Sequence, residues 1–376
     1  MEISLRLGAG ICAIFGMAFP MRPPALVESL DHRAKQVDAV FSALISAREP
    51  GAAVLVVKDG RVVFERGYGV ADLRSLRSID SRTSFRLASV SKQFTAAAIM
   101  LLVRDGRMSY DDRLTGFFPD FPESGRAVTI RRLLNHTSGL PDYEDLMAPS
   151  ETASPVEQIQ IKDAQVLELL KRPNALQFPP GTRWKYSNSG YVLLGLVVEK
   201  ASGLPFGRFL RERIFAPLKM DRTLAYERGT NEVPDRAYGH SRGPGGWRET
   251  DQSPTSATLG DGGVYSSLED LARWDESLCR KTLLSEAEMG LALEPVQVPA
   301  DPPVGPDGTP AAYGFGWFLN SWKGHARMWH YGETMGFRTA IHRFTKERLT
   351  VVVLGNRSDL DATVLALKTA DIYLFP

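Results

Sequence analysis

The chain has 376 residues, 43% of them hydrophobic and 24% charged, an ordinary balance for a globular protein that buries its core without disulfides or metal. Lys and Arg number 45 against 44 Asp and Glu, so the formal net charge is +1. That speaks against a nucleic-acid partner and against an acidic disordered chain, though it leaves room for a local charged patch.

Arg6 precedes an apolar run, Leu7–Phe19. The run is too short to cross a bilayer, which needs about 20 residues, but it has the length of an export-signal core. Glu2 and the Met17-Ala18-Phe19 end are atypical of such a signal. We expect residues 1–25 to be a signal peptide or a disordered start, placing the remainder in the periplasm or outside the cell if exported, and in the cytoplasm otherwise. No other stretch reaches 18 apolar residues, so no transmembrane helix is expected in the mature chain. Cys12 and Cys279 are the two cysteines, too few for a disulfide framework or a Cys-rich zinc site.

Apolar residues from Val27 to Ile45 recur at helical spacing. Ala53–Val57 and Arg61–Glu65 flank Lys58-Asp59-Gly60, which reads as a hairpin. From Ser84 to Leu293 the pattern is mostly helix and loop. Helices are predicted at Val90–Arg104, Ile130–Leu134, Ala164–Leu170, Ser189–Lys200, Phe206–Ile214 and Leu268–Ser277. Glu227–Ala257 is polar and reads as a long surface loop, and Pro295–Pro310 as a loop at a lobe boundary. Strands return at Gly314–Leu319, Ala326–His330, Thr339–Phe344 and Leu349–Leu354, and a helix at Leu360–Leu374 follows. The economical arrangement is α+β: one antiparallel sheet from both chain ends, flanking helices, and an inserted, mostly helical lobe. We expect one domain over 26–376, with a sheet lobe at about 26–82 and 311–376 and a helical lobe at about 83–310. The cleft between them is the natural place for a substrate.

Three short motifs carry chemistry. Ser89-Val90-Ser91-Lys92 opens a helix and sets Ser89 and Lys92 one turn apart on one face. The helix N-terminus favours a developing alkoxide, a desolvated Lys92 amine can take the proton, and the Ser89 amide can face an oxyanion. Tyr186-Ser187-Asn188 lies where a turn-rich stretch meets a helix. There a Tyr flanked by cations can have a lowered pKa and act as a base, and Asn188 offers a donor and an acceptor to a substrate amide. His330-Tyr331-Gly332 ends a strand. Gly332 lets backbone approach a ligand, and the strand edge offers amides to substrate and oxyanion.

In this order and context the motifs resemble the serine β-lactamase and penicillin-binding-protein family, including class C β-lactamases, D-alanyl-D-alanine carboxypeptidases and related carboxylesterases. The resemblance runs from about Gly51 to Leu354. It includes Phe85–Thr95 (FRLASVSKQFT), Leu133–Leu140 (LLNHTSGL), Pro180-Gly181-Thr182, Gly262–Ser267 (GGVYSS) with Asp270-Leu271-Ala272, and Tyr313–Trp317 (YGFGW). It implies a β-lactamase/transpeptidase-like fold and a serine hydrolase of small ester, amide or β-lactam substrates, working through an acyl-enzyme without a cofactor. It further implies that Ser89 is the nucleophile, Lys92 assists its deprotonation and Tyr186 is the general base. Asn188 orients the acyl side chain, and His330 contacts substrate and holds the proton network. Gly332 belongs to the third motif, and the amides of Ser89 and Glu333 form the oxyanion hole. His136 reads as structural.

The third motif departs from the K-T-G common in class C β-lactamases. His is mostly neutral at pH 7 where Lys is a fixed cation, which favours an esterase or D-amino-acid peptidase over a dedicated β-lactamase. Arg338 could supply the missing charge. A protein that acylates but barely deacylates uses the same motifs and is the alternative. No G-x-S-x-G elbow and no H-E-x-x-H is present, which argues against an α/β-hydrolase triad and a zincin.

Overall fold

The computed structural model of the chain describes residues 24–147, 160–173, 175–306 and 308–375, with side chains from residue 32 onward. The expected signal segment lies almost entirely outside these residues, as do Cys12 and residues 148–159.

A helix, α1 (Pro24–Ser42), leads into β1 (Ala52–Lys58) and β2 (Arg61–Tyr68). The middle contributes α2 (Lys92–Arg104), α3 (Asn188–Ser202) and α4 (Leu268–Arg280). The chain then returns to β3 (Ala312–Tyr313), β4 (Phe318–Trp322), β5 (His325–Thr334), β6 (Phe337–Phe344) and β7 (Leu349–Gly355), and α5 (Ala362–Leu374) follows. These strands form one antiparallel seven-stranded sheet in the order β3-β4-β5-β6-β7-β1-β2. Its centre joins the two chain ends: Ala52 pairs with Gly355 and Lys58 with Leu349.

Side chains alternate across the strands, so both faces are covered. Val54, Val56, Val351 and Val353 pack under α1 and α5 with Phe41, Leu365 and Ala366. Ala53, Leu55, Ile341, Val352 and Leu354 face the other way, into the larger core shared with Phe94 and Trp274. That two-sided burial explains why β1 and β7 read as nearly continuous apolar runs.

Two predicted elements need correction. Gly314–Trp317 is not strand; Gly316 turns the chain at φ +77°, where a Cβ would meet α2 backbone at 3.0 Å, and the strand begins at Phe318. Glu227–Ala257 is not simply a surface loop. It contains the hairpin His240–Gly243 with Gly246–Glu249, and His240, Asp251 and Ser256 are buried. Its polar residues bond inward: Asp251 accepts from the Gly239 amide at 2.9 Å and pairs with Arg236. Among the described residues, no helix is long and apolar enough to cross a membrane.

Candidate active site

Ser89 sits in a short 3-10 turn, Ala88–Ser91, that runs directly into α2. Side chains at i and i+3 eclipse in a 3-10 turn, which brings Lys92 under Ser89. Ala88 adopts φ +48°, a left-handed conformation that costs a non-glycine residue energy. It turns the backbone so that Ser89 is half-exposed in the cleft while its neighbours are buried. The turn is anchored by Ser91 Oγ, which accepts from the Val264 amide at 3.1 Å, and by Thr95, which donates to the Gly260 carbonyl at 2.6 Å.

Lys92 is fully buried. Its ammonium donates to Ser89 Oγ at 3.0 Å, Asn188 Oδ1 at 2.8 Å and the Asp261 carbonyl at 2.8 Å. Three donors meet three acceptors. Burial lowers its pKa to about 8, against the opposing pull of the Asp261, Asp142 and Glu144 carboxylates. On losing a proton, the amine can keep its bonds to Asn188 and Asp261 and turn its lone pair to Ser89.

Tyr186 and Asn188 come from the junction before α3. Ser187 caps that helix through the Gly190 amide, and the helix ends at Gly203 in the left-handed region. Asp142 accepts from the Asn188 amide at 2.8 Å. Asn188 spends its oxygen on Lys92, leaving its NH2 group for a substrate. Among the described residues the buried Tyr186 hydroxyl has no hydrogen-bond partner, and Lys92 Nζ lies 5.0 Å from its ring centre. The expectation of a lowered pKa is corrected here. Burial raises the phenol well above its ordinary value, although the adjacent Ser89 hydroxyl pulls the other way. Tyr186 is therefore a neutral phenol in this state.

The ring of His136 packs against Tyr186 at a 35° tilt, ring centres 4.4 Å apart, and its Nδ1 accepts from the Ser187 amide at 3.2 Å. His136 thus holds the Tyr186 loop in place while burial and Lys92 keep it neutral.

His330 also departs from expectation. Its side chain is fully buried, beside Phe318 and behind Tyr186. Nδ1 lies 2.7 Å from the Tyr331 carbonyl, which can only accept, so that nitrogen carries the proton. Nε2 then accepts from Tyr313 Oη at 3.1 Å. Burial, reinforced by Lys92, depresses its pKa to about 3. A neutral ring with both nitrogens engaged neither touches the open cleft nor pairs with a substrate carboxylate.

Gly332 lies where β5 crosses the nucleophile turn. A Cβ there would meet the Leu87 carbonyl oxygen at 2.2 Å, Thr339 Oγ1 at 2.4 Å and Ala88 Cβ at 3.2 Å. Thr339 fastens the same contact by donating to the Leu87 carbonyl at 2.7 Å. The close crossing puts Glu333, the next residue, at the cleft wall beside Ser89. Arg338 lies opposite Glu333 in the strand register, 3.8 Å from its carboxylate. It donates to the Thr334 and Phe337 carbonyls, each at 2.8 Å. It lines an outer groove continuous with the cleft, and its charge is partly matched by Glu333.

Sequence reasoning missed two acids of the cleft, Glu144 and Asp261, and named Glu333 only for its amide. Glu144, Asp261 and Glu333 line the cleft together, with buried Arg86 and the hydroxyls of Thr255 and Thr258. Glu144 still meets solvent, yet protein crowds it on its inner side. That burial, with the Asp142 and Asp261 charges, raises its pKa to about 7. Asp261 accepts from Tyr143 Oη at 3.3 Å, and its other oxygen has no partner among the described residues. The one available signal was Asp142-Tyr143-Glu144, an Asp helix cap with an acid two residues on. Among the described residues, no group of His, Cys, Asp and Glu is placed to hold a metal ion.

The family model described as Beta-lactamase matches residues 31–373. Penicillin-binding protein 4* of Bacillus subtilis is 32% identical over 357 residues, covering 92% of this chain and 76% of that protein. A D-aminopeptidase of Cereibacter sphaeroides is 33% identical over 310 residues; the match covers 82% of this chain but only 57% of the relative. Among solved structures, the octameric penicillin-binding protein homologue from Pyrococcus abyssi superimposes with a TM-score of 0.76 at 26% identity, over 93% of this chain and 76% of that one.

Proposed function

Since the chain belongs to the β-lactamase family and is a serine hydrolase, we propose that it cleaves small amides or esters whose acyl part carries a free amine, as a D-aminoacyl group does. The observation that carries this reading is the acidic cleft around Ser89, lined by Glu144, Asp261 and Glu333. Three acids against the one cation Arg86 among the lining residues draw an ammonium group there more strongly than a carboxylate. The D-configuration is suggested by the D-aminopeptidase relative.

In this reading Ser89 Oγ attacks the carbonyl carbon and its proton passes to the Lys92 amine. The amides of Ser89 and Glu333 receive the oxyanion. Tyr186, a neutral phenol, donates to the leaving nitrogen or oxygen and recovers its proton from the Lys92 ammonium. Water then attacks the acyl-Ser89 ester and the transfers run in reverse. His330 and His136 hold Tyr186 between them without changing charge.

The amine form of Lys92 grows as pH rises through about 8. The rate constant kcat/KM should therefore climb about tenfold per pH unit below that value and level off above it. A profile that is flat from pH 6 to 9 would reject Lys92 as the base. Glu144 is protonated below pH of about 7 and charged above it. Glu144→Gln should raise KM for a D-alanine anilide about tenfold at pH 8 and leave its N-acetyl counterpart unchanged. Equal effects on both substrates would remove Glu144 from amine recognition.

Slow deacylation is the second reading, favoured by the protonated state of Tyr186, which offers no base to water. Side-by-side turnover of a D-alanine anilide, a D-Ala-D-Ala peptide, a short-chain aryl ester and a chromogenic cephalosporin decides between them. A long-lived adduct on Ser89 with little turnover of all four favours the slow reading. Preference for the N-acetylated anilide over the free amine overturns the first.

A further inference from the structure

At the far end of β6 from the cleft lies a separate cavity of about 540 Å³, a size common among small-molecule sites. Arg338 and Phe344, near the two ends of that strand, are about 20 Å apart at ordinary strand rise. Three elements build the walls: the β1–β2 turn, the C-terminal end of α4, and the β6–β7 hairpin.

Five cations line it: Arg61, Arg280, Lys281, Arg343 and Arg348. Each available carboxylate can be assigned. Asp275 binds Arg343 at 2.7 Å from behind the wall, Glu276 binds Arg280 at 3.0 Å, and Asp59 binds Arg348 at 3.3 Å. Arg61 and Lys281 are left, exposed at the rim, with no carboxylate partner among the described residues. The end of a helix favours cations, which accounts for Arg280 and Lys281. It does not account for Arg61 and Arg348, which two different hairpins bring to the same cavity. Arg343 is 5% exposed; among the described residues its Nη1 has only the Met328 sulfur, at 3.5 Å, as a partner, while its Nη2 donates to the Cys279 sulfur at 3.2 Å. The Thr350 hydroxyl beside it is committed to Asp275 at 2.6 Å, which fixes that carboxylate on the inner side.

We propose that this cavity binds a small polyanion, a molecule with two or more neighbouring phosphate or carboxylate groups, at a site independent of hydrolysis. Arg61 and Lys281 close over the charges, and Arg343 meets the innermost group.

The test is calorimetric titration of the full chain at low ionic strength with pyrophosphate and, separately, with citrate. The Arg61→Ala/Lys281→Ala variant is titrated beside it. Aryl-ester turnover of that variant checks its fold, since neither residue belongs to the catalytic cleft. Saturable binding of either anion, weakened about tenfold or more in the variant, is the expected result. Binding of pyrophosphate alone assigns phosphate esters, and binding of citrate alone assigns polycarboxylates. Iodoacetamide labelling of Cys279, a wall residue, should slow when the anion is bound. Failure of both anions to bind at about 10 mM, or binding that the double substitution leaves unchanged, overturns the proposal.

Discussion

Ser89→Ala is expected to lower turnover of every substrate by on the order of 10⁴–10⁶, the loss seen when an acting nucleophile is removed. The substitution deletes one hydroxyl and leaves the supports of the turn in place. Ser91, Thr95 and Thr339 still bind their backbone partners. Lys92 keeps Asn188 and Asp261. The fold should therefore survive, and thermal melting beside the rate measurement checks that. The variant should also take up no acyl label from a β-lactam. Turnover within tenfold of wild type would mean that chemistry starts elsewhere. The acids of the cleft would then need a different account.

Gly332→Ala is expected to cost about 10²–10³ in kcat, the range for a lost oxyanion donor, together with about 1–3 kcal/mol of stability. The reason is steric. The added methyl would fall on the Leu87 carbonyl oxygen and on Thr339 Oγ1, and neither can retreat, because they bind each other. Strand β5 must lift from the nucleophile turn, carrying the Glu333 amide away from the Ser89 amide. Chemistry should suffer more than binding, so kcat should fall while KM changes little. Wild-type kcat in a variant with normal melting would show that the close crossing does not position an oxyanion donor.

Much of this was legible in the sequence because it is local. The hairpin at Lys58-Asp59-Gly60 needs only turn chemistry and two β-branched runs. The helix after Ser89 needs only spacing, and Gly203 announces the end of α3. Fold class followed from strands at both ends and helices between. The states of the buried groups were not legible. Tyr186 was expected to have a lowered pKa because Lys185 and Arg183 are near in sequence. Neither is among the main influences on it; burial decides, and it acts the other way. His330 was expected to contact substrate because the family resemblance implies it. Only the folded sheet shows Tyr313 and the Tyr331 carbonyl taking both ring nitrogens. The acids Glu144, Asp261 and Glu333 lie on three distant segments, and no short motif joins them. The Glu227–Ala257 loop looked solvated because its composition is polar. Asp251 instead turns inward, pairing with Arg236 and accepting from the Gly239 amide.

The pairing of β1 with β7 has a consequence for how the enzyme comes into being. A ribosome makes β1 long before β7, so the middle of the sheet stays open while all the residues between them are added. Contacts that far apart along the chain are entropically slow to close. Until β7 arrives, β1 presents an unpaired apolar edge, the kind that invites association with other chains. Strand β6, which fastens Leu87 through Thr339, has β7 as its neighbour. The nascent polypeptide should therefore stay inert, with its nucleophile turn loosely held, until the last strand is released and slots between the first and the one before it.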